Sequence, residues 1–157
     1  MEILRINPAA REEIDAFLLR QWFSTEMAVH GELIDLRSAE GWYIRADGEI
    51  AGLLTYRIAG REMEILSLDS LRENRGIGTA LLREAIEEAG RAGCERIMLI
   101  TTNDNTSALR FYQKRGFDIA ALHRNAVEQA RKIKPQIPLL GNDGIPIRHE
   151  IEMEMRL

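Results

Sequence analysis

The sequence has only one cysteine, Cys94, and only three histidines among its 157 residues. A single thiol excludes an internal disulfide and a metal site built from cysteines. The histidines, His30, His123 and His149, show no spacing typical of metal ligands. Cys94 follows a glycine break at Gly93 and has no histidine close to it in sequence, so we interpret it as a structural thiol rather than a nucleophile.

Long apolar runs and an excess of positive charge are also lacking. No segment approaches the length needed to cross a bilayer, and the acidic N-terminus does not fit a signal peptide. The formal net charge of -4 argues against a general nucleic-acid binder. A chain of 157 residues is long enough for one domain with a sizeable core. We therefore expect a single cytoplasmic domain, residues 1–157, with neither a nucleic-acid nor a membrane partner.

A glycine-containing stretch, residues 73–82, is the most informative feature that is present. It follows the apolar, strand-like residues 65–68 and opens a helix-like segment that continues to about Gly93. The first amides of a helix have no intrahelical partners, and the helix dipole places its positive end at the same point. Glycine lets an anion approach the backbone closely. The stretch therefore predicts a site for a phosphate or pyrophosphate.

The spacing of the glycines excludes two common kinds of anion-binding site. A dinucleotide-binding fold requires a third small residue where this chain has Leu81, and a P-loop requires a Gly-Lys-Ser/Thr that is absent. The stretch resembles the acyl-coenzyme A (acyl-CoA) loop of the GNAT acetyltransferase superfamily, Gln/Arg-x-x-Gly-x-Gly/Ala, with its glycines at Gly76 and Gly78. The first position holds Glu73, a departure from that pattern. The alternative is an ordinary helix start with two glycines.

A second segment, residues 105–117, matches every fixed position of another GNAT signature, Asn-x-x-Ala-x-x-x-Tyr-x-x-x-Gly-Phe. Asn105 is a good helix cap, Ala108 and Tyr112 share the apolar side, and Gly116 ends the helix before Phe117 starts a strand. The alternative is a well-capped amphipathic helix with a core tyrosine. The two segments lie about thirty residues apart, the family's usual separation, so the chain strongly resembles a GNAT acetyltransferase.

The hydrophobic pattern predicts one layered α/β (α+β) structure with alternating strands and helices. We expect strands at residues 2–6, 42–45, 49–58, 61–69, 96–101, 117–122 and 147–157, and helices at 8–23, 76–92, 105–116 and 125–132. Asp47-Gly48 predicts a hairpin turn, and residues 24–41 are less regular, with short helical turns expected. Ile14, Phe17, Leu18 and Trp22 follow helical spacing in the first helix, and for Trp22 both core packing and a place along the acceptor site are open.

The resemblance implies a mixed, strongly twisted central sheet flanked by helices. It also implies a splay between the fourth and fifth strands, where the pantetheine arm of the co-substrate, acetyl-CoA, would lie. By resemblance, nine residues would contact coenzyme A (CoA), some through main-chain groups such as the amides at the pyrophosphate and others through a side chain. They are Leu68, Ser70, Asn74, Arg75, Gly76, Gly78, Thr79, Asn105 and Tyr112. The resemblance implies no metal.

Acyl transfer from a thioester to an amine needs a neutral nucleophile, a polarised carbonyl and a protonated leaving group, and needs no covalent enzyme intermediate. By resemblance, the Leu68 N–H, supplied by a strand bulge, would bind the thioester carbonyl and Tyr112 would protonate the departing sulfur. We expect Glu64 to act as the base through water, because it shares a face of the strand with Leu68, whereas Asp69 points the other way if the strand stays regular. Glu62, or water alone, is the alternative.

The acceptor is a small-molecule or peptide amine that the sequence does not identify. Residues that would contact it are Trp22, His30, Glu62, Arg131, Lys134 and Arg148. The loop at residues 131–148 is interpreted as a lid over the acceptor or as a connector packed on the sheet. The C-terminal part resembles an uncharacterised bacterial GNAT subgroup, which names no substrate. A non-catalytic acyl-CoA sensor and an interaction protein remain alternatives, and a homodimer is plausible.

Overall fold

A computed structural model of the chain describes residues 1–72 and 75–157. The strands in these residues are β1 (Glu2–Arg5), β2 (Glu26–Val29), β3 (Glu32–Asp35), β4 (Glu40–Ala46), β5 (Glu49–Ala59), β6 (Glu62–Ser70), β7 (Arg96–Thr102), β8 (Asp118–His123) and β9 (Glu150–Arg156). The helices are α1 (Arg11–Trp22), α2 (Ile77–Arg91), α3 (Thr106–Lys114) and α4 (Ala126–Ile133). The elements fall close to the predicted ones and confirm the α/β class.

The main sheet has seven strands in the order β1-β4-β5-β6-β7-β9-β8, and β2 pairs with β3 in a separate small sheet. The pairs β1–β4, β4–β5, β5–β6 and β8–β9 are antiparallel. The chain divides into two compact units, the first made of residues 1–26, 35–97 and 157, the second of residues 27–34 and 98–156. The splay between β6 and β7 stays a prediction, as does the single domain.

The first unit is organised around the hairpin of β4 and β5. Asp47 and Gly48 both have positive φ, 54° and 80°, as a tight hairpin turn requires, and the predicted turn is confirmed. Helix α2 packs against β4, β5 and β6. At Gly52 on β5, a Cβ atom would lie 2.4 Å from Cγ2 of Ile77. The start of α2 therefore reaches the sheet only because residue 52 has no side chain.

Helix α1 leaves Trp22 outside the core, the first of its two interpretations. Ile14, Phe17 and Leu18 are fully buried as expected, but Trp22 is 45% exposed. The helix ends directly after it, because Phe23 adopts a left-handed conformation (φ 57°) and its N–H donates to the Leu19 carbonyl at 2.9 Å. Trp22 therefore lies at the margin of the buried stripe rather than within it.

Residues 24–41 form more regular structure than expected. Strands β2 and β3 are joined at His30 and Gly31, whose φ values are 55° and 71°, and one 3₁₀ turn follows at Leu36–Ser38. The break at these two residues was predicted, but the flanking strands were not. Each strand has four residues, which is too short for period-two alternation to stand out.

The second unit holds most of β7 together with β8, β9, α3 and α4. Asn105 caps α3 as predicted, since its Oδ1 accepts the Ala108 N–H at 3.2 Å. The side chain of Asn103 holds the chain before β9: Oδ1 accepts the N–H groups of Arg148 and His149, each at 2.9 Å. Among the described residues, no helix is long and apolar enough to span a membrane.

Candidate active site

The C-terminal part of β6 presents main-chain groups on the side away from β5. Leu71 N–H donates to Ala51 O at 2.9 Å, and Leu53 lies opposite Asp69 in the same antiparallel register. Main-chain groups point alternately to the two sides of a strand. The N–H and C=O groups of Leu68 and Ser70 therefore point away from β5, as the predicted contacts to a carbonyl and to pantetheine require.

A β-bulge divides β6 into two halves. Thr55 pairs with Ser67, but its neighbour Tyr56 pairs with Ile65, so Leu66 is an extra residue without a partner on β5. An extra residue shifts the alternation of all side chains beyond it by one position. The two halves of β6 therefore follow different face patterns, and the assumption of a regular strand is wrong.

The bulge changes which acidic residues share a face. Arg57 pairs with Glu64 and Thr55 bonds Ser67 (Oγ1 to Oγ, 2.6 Å), so Glu64 and Ser67 lie on one face of the sheet. Asp69, two residues beyond Ser67, is on that face too. The expectation that Glu64 shares a face with the Leu68 side chain, with Asp69 pointing the other way, is therefore wrong.

The two glutamates of β6 are both held by arginines. The buried Glu64 accepts from Arg57 Nε at 3.0 Å and lies 2.9 Å from Arg57 Nη2. Glu62 accepts from Arg96 Nη1 at 2.8 Å. These charge-assisted bonds hold both carboxylates in place. The geometry therefore favours a structural role for Glu64 over the predicted base.

Asp69 has surroundings unlike those of Glu64. It is half-buried, and its Oδ2 accepts a hydrogen bond from the Trp22 Nε1–H at 3.0 Å. Burial raises the pKa of Asp69 to about 6, although the bond from Trp22 lowers it. Asp69 was not selected from the sequence, because the resemblance implied a bulge in this strand but no residue pattern placed it at Leu66. Trp22 was selected, and the structure brings it into contact with Asp69.

The glycine stretch begins α2 as the sequence predicted. Gly76 has φ 73°, a left-handed conformation that favours glycine, and the helix runs from Ile77. Gly78 is buried in the first turn, close to the half-buried Thr79, and Arg75 is exposed. This helix start presents main-chain amides and the positive end of the helix dipole. The predicted contact at Asn74, like the unusual Glu73, lies outside the described residues.

Tyr112 and Asn105 both lie on α3 or at its cap, in the second unit. Tyr112 is 7% exposed, and its ring meets the ring of Phe117 edge-on at 5.3 Å between centroids. The Oδ1 atom of Asn105 is used in the helix cap. The helix therefore holds both residues in fixed positions, and their roles toward a ligand stay predictions.

The predicted acceptor residues of the C-terminal segment are used largely in folding it. Arg131 donates to the carbonyl oxygens of Ile137, Pro138 and Ile147 at 3.3, 2.7 and 2.7 Å. Arg148 is exposed and donates from Nη2 to Asn125 Oδ1 at 3.3 Å. These bonds favour the interpretation of residues 131–148 as an ordered connector.

The two remaining predicted contacts are unlike each other. Lys134 directly follows α4, and its N–H donates to the Ala130 carbonyl at 2.8 Å. His30 is exposed at the turn between β2 and β3 in the second unit, whereas Trp22 belongs to the first.

Burial raises the pKa of the Cys94 thiol, in agreement with a structural role. Within residues 1–72 and 75–157, no three side chains of His, Cys, Asp or Glu form a group able to hold a metal.

Comparisons with known proteins found relatives of this chain both in sequence and in structure. The uncharacterized protein YdhI of Bacillus subtilis (strain 168) is 47% identical over 96% of this chain and 95% of its own length. The mycothiol acetyltransferase of Clavibacter sepedonicus is 32% identical, but over 57% of this chain and 33% of that protein.

A GNAT family acetyltransferase from Elizabethkingia anophelis, solved with acetyl-CoA bound, covers 99% of this chain and 97% of its own. Its TM-score is 0.69 at 20% identity, which shows a shared fold. The model of the acetyltransferase (GNAT) family matches residues 7–117, a span that contains β6, the glycine stretch and α3. The chain therefore belongs to the GNAT acetyltransferase family.

Proposed function

We propose that this protein is an N-acetyltransferase that moves an acetyl group directly from acetyl-CoA to a primary amine. The observation that supports this function is that two features follow each other along the chain within the first unit. The main chain of Leu68 and Ser70 faces away from β5, and the chain then leads to the glycine start of α2. Pantetheine amides and a pyrophosphate are chemically suited to these two features in that order.

The donor is held through main-chain groups in this proposal. Leu68 and Ser70 pair with pantetheine, and the pyrophosphate accepts from the amides of Arg75, Gly76, Gly78 and Thr79, with Asn74 as a further proposed contact. The acetyl-CoA complex of the similar acetyltransferase from Elizabethkingia anophelis supports the choice of donor. Asn105 contributes from the cap of α3, and no metal is assigned a part in the reaction.

The transfer itself requires stabilisation of negative charge at two atoms. The Leu68 N–H donates to the thioester oxygen, where charge develops as the amine attacks. Tyr112 donates its phenolic proton to the departing sulfur. No side chain of the protein is acylated, because the thioester is already activated.

The acceptor is an amine carried by a small molecule or a peptide. The similarity to a mycothiol acetyltransferase supports acetyl transfer in general and identifies no acceptor for this chain. Trp22 is the predicted acceptor contact that the geometry supports best, because it is exposed and bonded to an acidic side chain at the end of β6. We propose a single cytoplasmic catalytic domain, with a homodimer as its possible assembly.

Calorimetric titration of acetyl-CoA tests the donor site. We expect micromolar binding to the wild type and its loss in Gly78→Glu, since a carboxylate in the first turn of α2 repels the pyrophosphate. Gly90→Glu is the matched control: it places the same side chain on the same helix, at an exposed position with open space around it. Equal binding by both variants would place the donor elsewhere.

Thiol release from acetyl-CoA, measured with pooled primary amines, tests the transfer. The panel comprises amino acids, polyamines, aminoglycosides, simple alkylamines and a peptide with a free N-terminus. Release with one pool, and mass addition of one acetyl group to its amine, supports the proposed activity. Binding of acetyl-CoA without release from any pool contradicts it and favours a sensor.

A further inference from the structure

We propose that Asp69 accepts the proton of the acceptor's ammonium group, and that the Trp22 indole holds the Asp69 carboxylate in place for this step. The proposal rests on the acetyltransferase function and names its base and its acceptor class. The acceptor is then a primary amine that is protonated at neutral pH, rather than a weakly basic one.

The position of Asp69 relative to Leu68 is the first argument. A carbonyl bound by the Leu68 N–H lies at the edge of β6, close to the plane of the sheet, so an amine must approach it from one face. On the opposite face, α2 occupies the space at the end of β6: a Cβ on Gly52 would meet Ile77 at 2.4 Å and Leu81 at 3.1 Å. The side of approach is therefore the face that carries Asp69.

The indole of Trp22 is the second argument. It reaches Asp69 from α1, the helix on that same face, and donates to Oδ2 at 3.0 Å while 45% of Trp22 stays exposed. A single-point bond to one oxygen fixes the carboxylate and leaves the other oxygen, Oδ1, able to accept a proton. The exposed ring also offers a surface on which an ammonium group is attracted.

The surroundings of Glu64 are the third argument. Glu64 is on the same face but before the bulge, and Arg57 holds its carboxylate through two nitrogen atoms. A base must lie within hydrogen-bond reach of the proton it removes and have an oxygen available to accept it. Arg57 engages the Glu64 carboxylate, whereas the one hydrogen bond described for the Asp69 carboxylate comes from the neutral Trp22 indole.

The protonation state of Asp69 agrees with this assignment. Burial raises its pKa to about 6, so the carboxylate is mostly ionised at pH 7 and still accepts a proton readily. The contacts described for Asp69 are with Trp22 from α1 and with its strand partner Leu53 on β5, neither of them charged. Ser67 precedes it on the same face, and Arg57 and Glu64 form an ion pair on that face before the bulge.

Every proton and electron pair that moves in the proposed transfer has a destination. The ammonium gives one proton to Asp69, and the freed lone pair forms a C–N bond to the thioester carbon. The C–S bond breaks with its electron pair on sulfur, which takes a proton from Tyr112. The second amine proton leaves the product nitrogen and restores the tyrosine, while Asp69 releases its proton to solvent. The products are an amide, CoA thiol and one proton.

The test compares two nucleophiles that differ in basicity. The probes are an alkylamine that the wild type acetylates and the O-alkylhydroxylamine of the same carbon skeleton, which is neutral at pH 7. In Asp69→Asn, kcat/KM for the alkylamine at pH 7 falls about 100-fold, whereas kcat/KM for the O-alkylhydroxylamine falls less than about threefold. The alkylamine rate of the variant recovers as pH rises toward the pKa of the amine.

Three further measurements make the outcome decisive. Asp118→Asn, an exposed aspartate on β8, is the matched control and retains wild-type rates. Trp22→Phe shifts the acid limb of the alkylamine pH profile to higher pH, which a role in packing alone does not do. In wild-type NMR spectra the Trp22 indole N–H titrates with a midpoint of about 6, and this titration disappears in Asp69→Asn.

A wrong assignment of Asp69 gives different results from a wrong assignment of the acetyltransferase function. If the wild type transfers acetyl groups and Asp69→Asn loses activity equally with both probes, or loses none, the assignment of Asp69 is wrong and the acetyltransferase function stands. If Glu64→Gln instead shows the selective loss with alkylamine, Glu64 is the base. If the wild type binds no acetyl-CoA, or binds it and acetylates no amine of the panel, the proposed function and this inference both fail.

Discussion

Arg57 and Glu64 lie directly opposite each other on β5 and β6, with Arg57 Nη2 2.9 Å from Glu64 Oε1. The Glu64 side chain is 9% exposed and that of Arg57 39%, so the pair is buried mainly on the acidic side. The pair lies immediately before the bulge, where the ladder between the two strands is interrupted. It therefore helps fix the register on which the position of Asp69 depends.

Glu64→Gln is expected to lower stability more than catalysis. The amide cannot neutralise Arg57, and we expect the free energy of unfolding to fall by about 1–2 kcal/mol, below the value for a fully buried pair because Arg57 is partly exposed. Urea denaturation at pH 7 measures the change. The matched control is Glu95→Gln, which breaks the exposed pair with Arg61 and should cost little. A loss of activity without a loss of stability would contradict this assignment.

Asp69→Asn is expected to raise stability at neutral pH while lowering activity. Because burial raises the pKa of Asp69 to about 6, the folded protein holds a proton that the unfolded chain releases above about pH 4. This contribution to stability is fully present at lower pH and is lost as pH rises through 6. The variant is neutral at every pH and escapes the loss, so at pH 7.5 it should be more stable than wild type by up to about 3 kcal/mol.

Urea denaturation of wild type and Asp69→Asn at pH 3.5, 5 and 7.5 measures this difference. The gap in unfolding free energy should be small at pH 3.5 and grow across the series. Asp118→Asn is the control and should show no growth. A gap that is constant with pH would mean that Asp69 does not titrate differently in the folded and unfolded states.

Gly52→Ala is expected to disturb the start of α2 and the binding of acetyl-CoA together. The new methyl group would meet Cγ2 of Ile77 at 2.4 Å, so the helix start must move away from β5. We expect a loss of about 1–3 kcal/mol in stability, as overpacking of a core usually gives, and weaker binding by calorimetry. Gly90→Ala, in open space on the same helix, should stabilise slightly. Unchanged binding of acetyl-CoA in Gly52→Ala would mean that the position of the helix start does not affect the donor site.

Arg131→Met is expected to loosen the segment at residues 131–148 without changing the acceptor preference. The substitution removes three bonds to carbonyl oxygens, and we expect a loss of about 2 kcal/mol and faster amide hydrogen exchange confined to that segment. Lys132→Met, at an exposed neighbour, is the control. A rise in KM for the amine with unchanged exchange would favour the lid interpretation instead.

The sequence predicted best those features that depend on local chemistry. The Asp47-Gly48 turn, the Asn105 cap and the glycine start of α2 each follow from a residue whose backbone or side chain suits one conformation. The order of strands and helices followed from hydrophobic periodicity. The short strands β2 and β3 were missed, because four residues carry too little of that periodicity.

The candidate site was predicted less completely, because it depends on pairing between strands. Leu66 looks like any apolar strand residue, and only its lack of a partner on β5 reveals the bulge. The error in the facing of Asp69 followed directly from this. The position of Trp22 was left open for a similar reason: helical spacing gives its angle around α1 but not the distance to the sheet at the helix end.

The unpaired Leu66 has a consequence for how β6 tolerates changes in length. Deleting this one residue would restore a continuous ladder with β5 and leave the Arg57–Glu64 pair in place. The pairs from Thr55–Ser67 onward would keep their partners, so Asp69 would stay opposite Leu53, on the face that Trp22 reaches. A shortened strand of this kind would be expected to keep both its ion pair and its proton acceptor. The face of Asp69 would change only if Leu66 entered the ladder in place of Ser67, opposite Thr55, because Asp69 would then lie opposite Gly52 and turn toward α2.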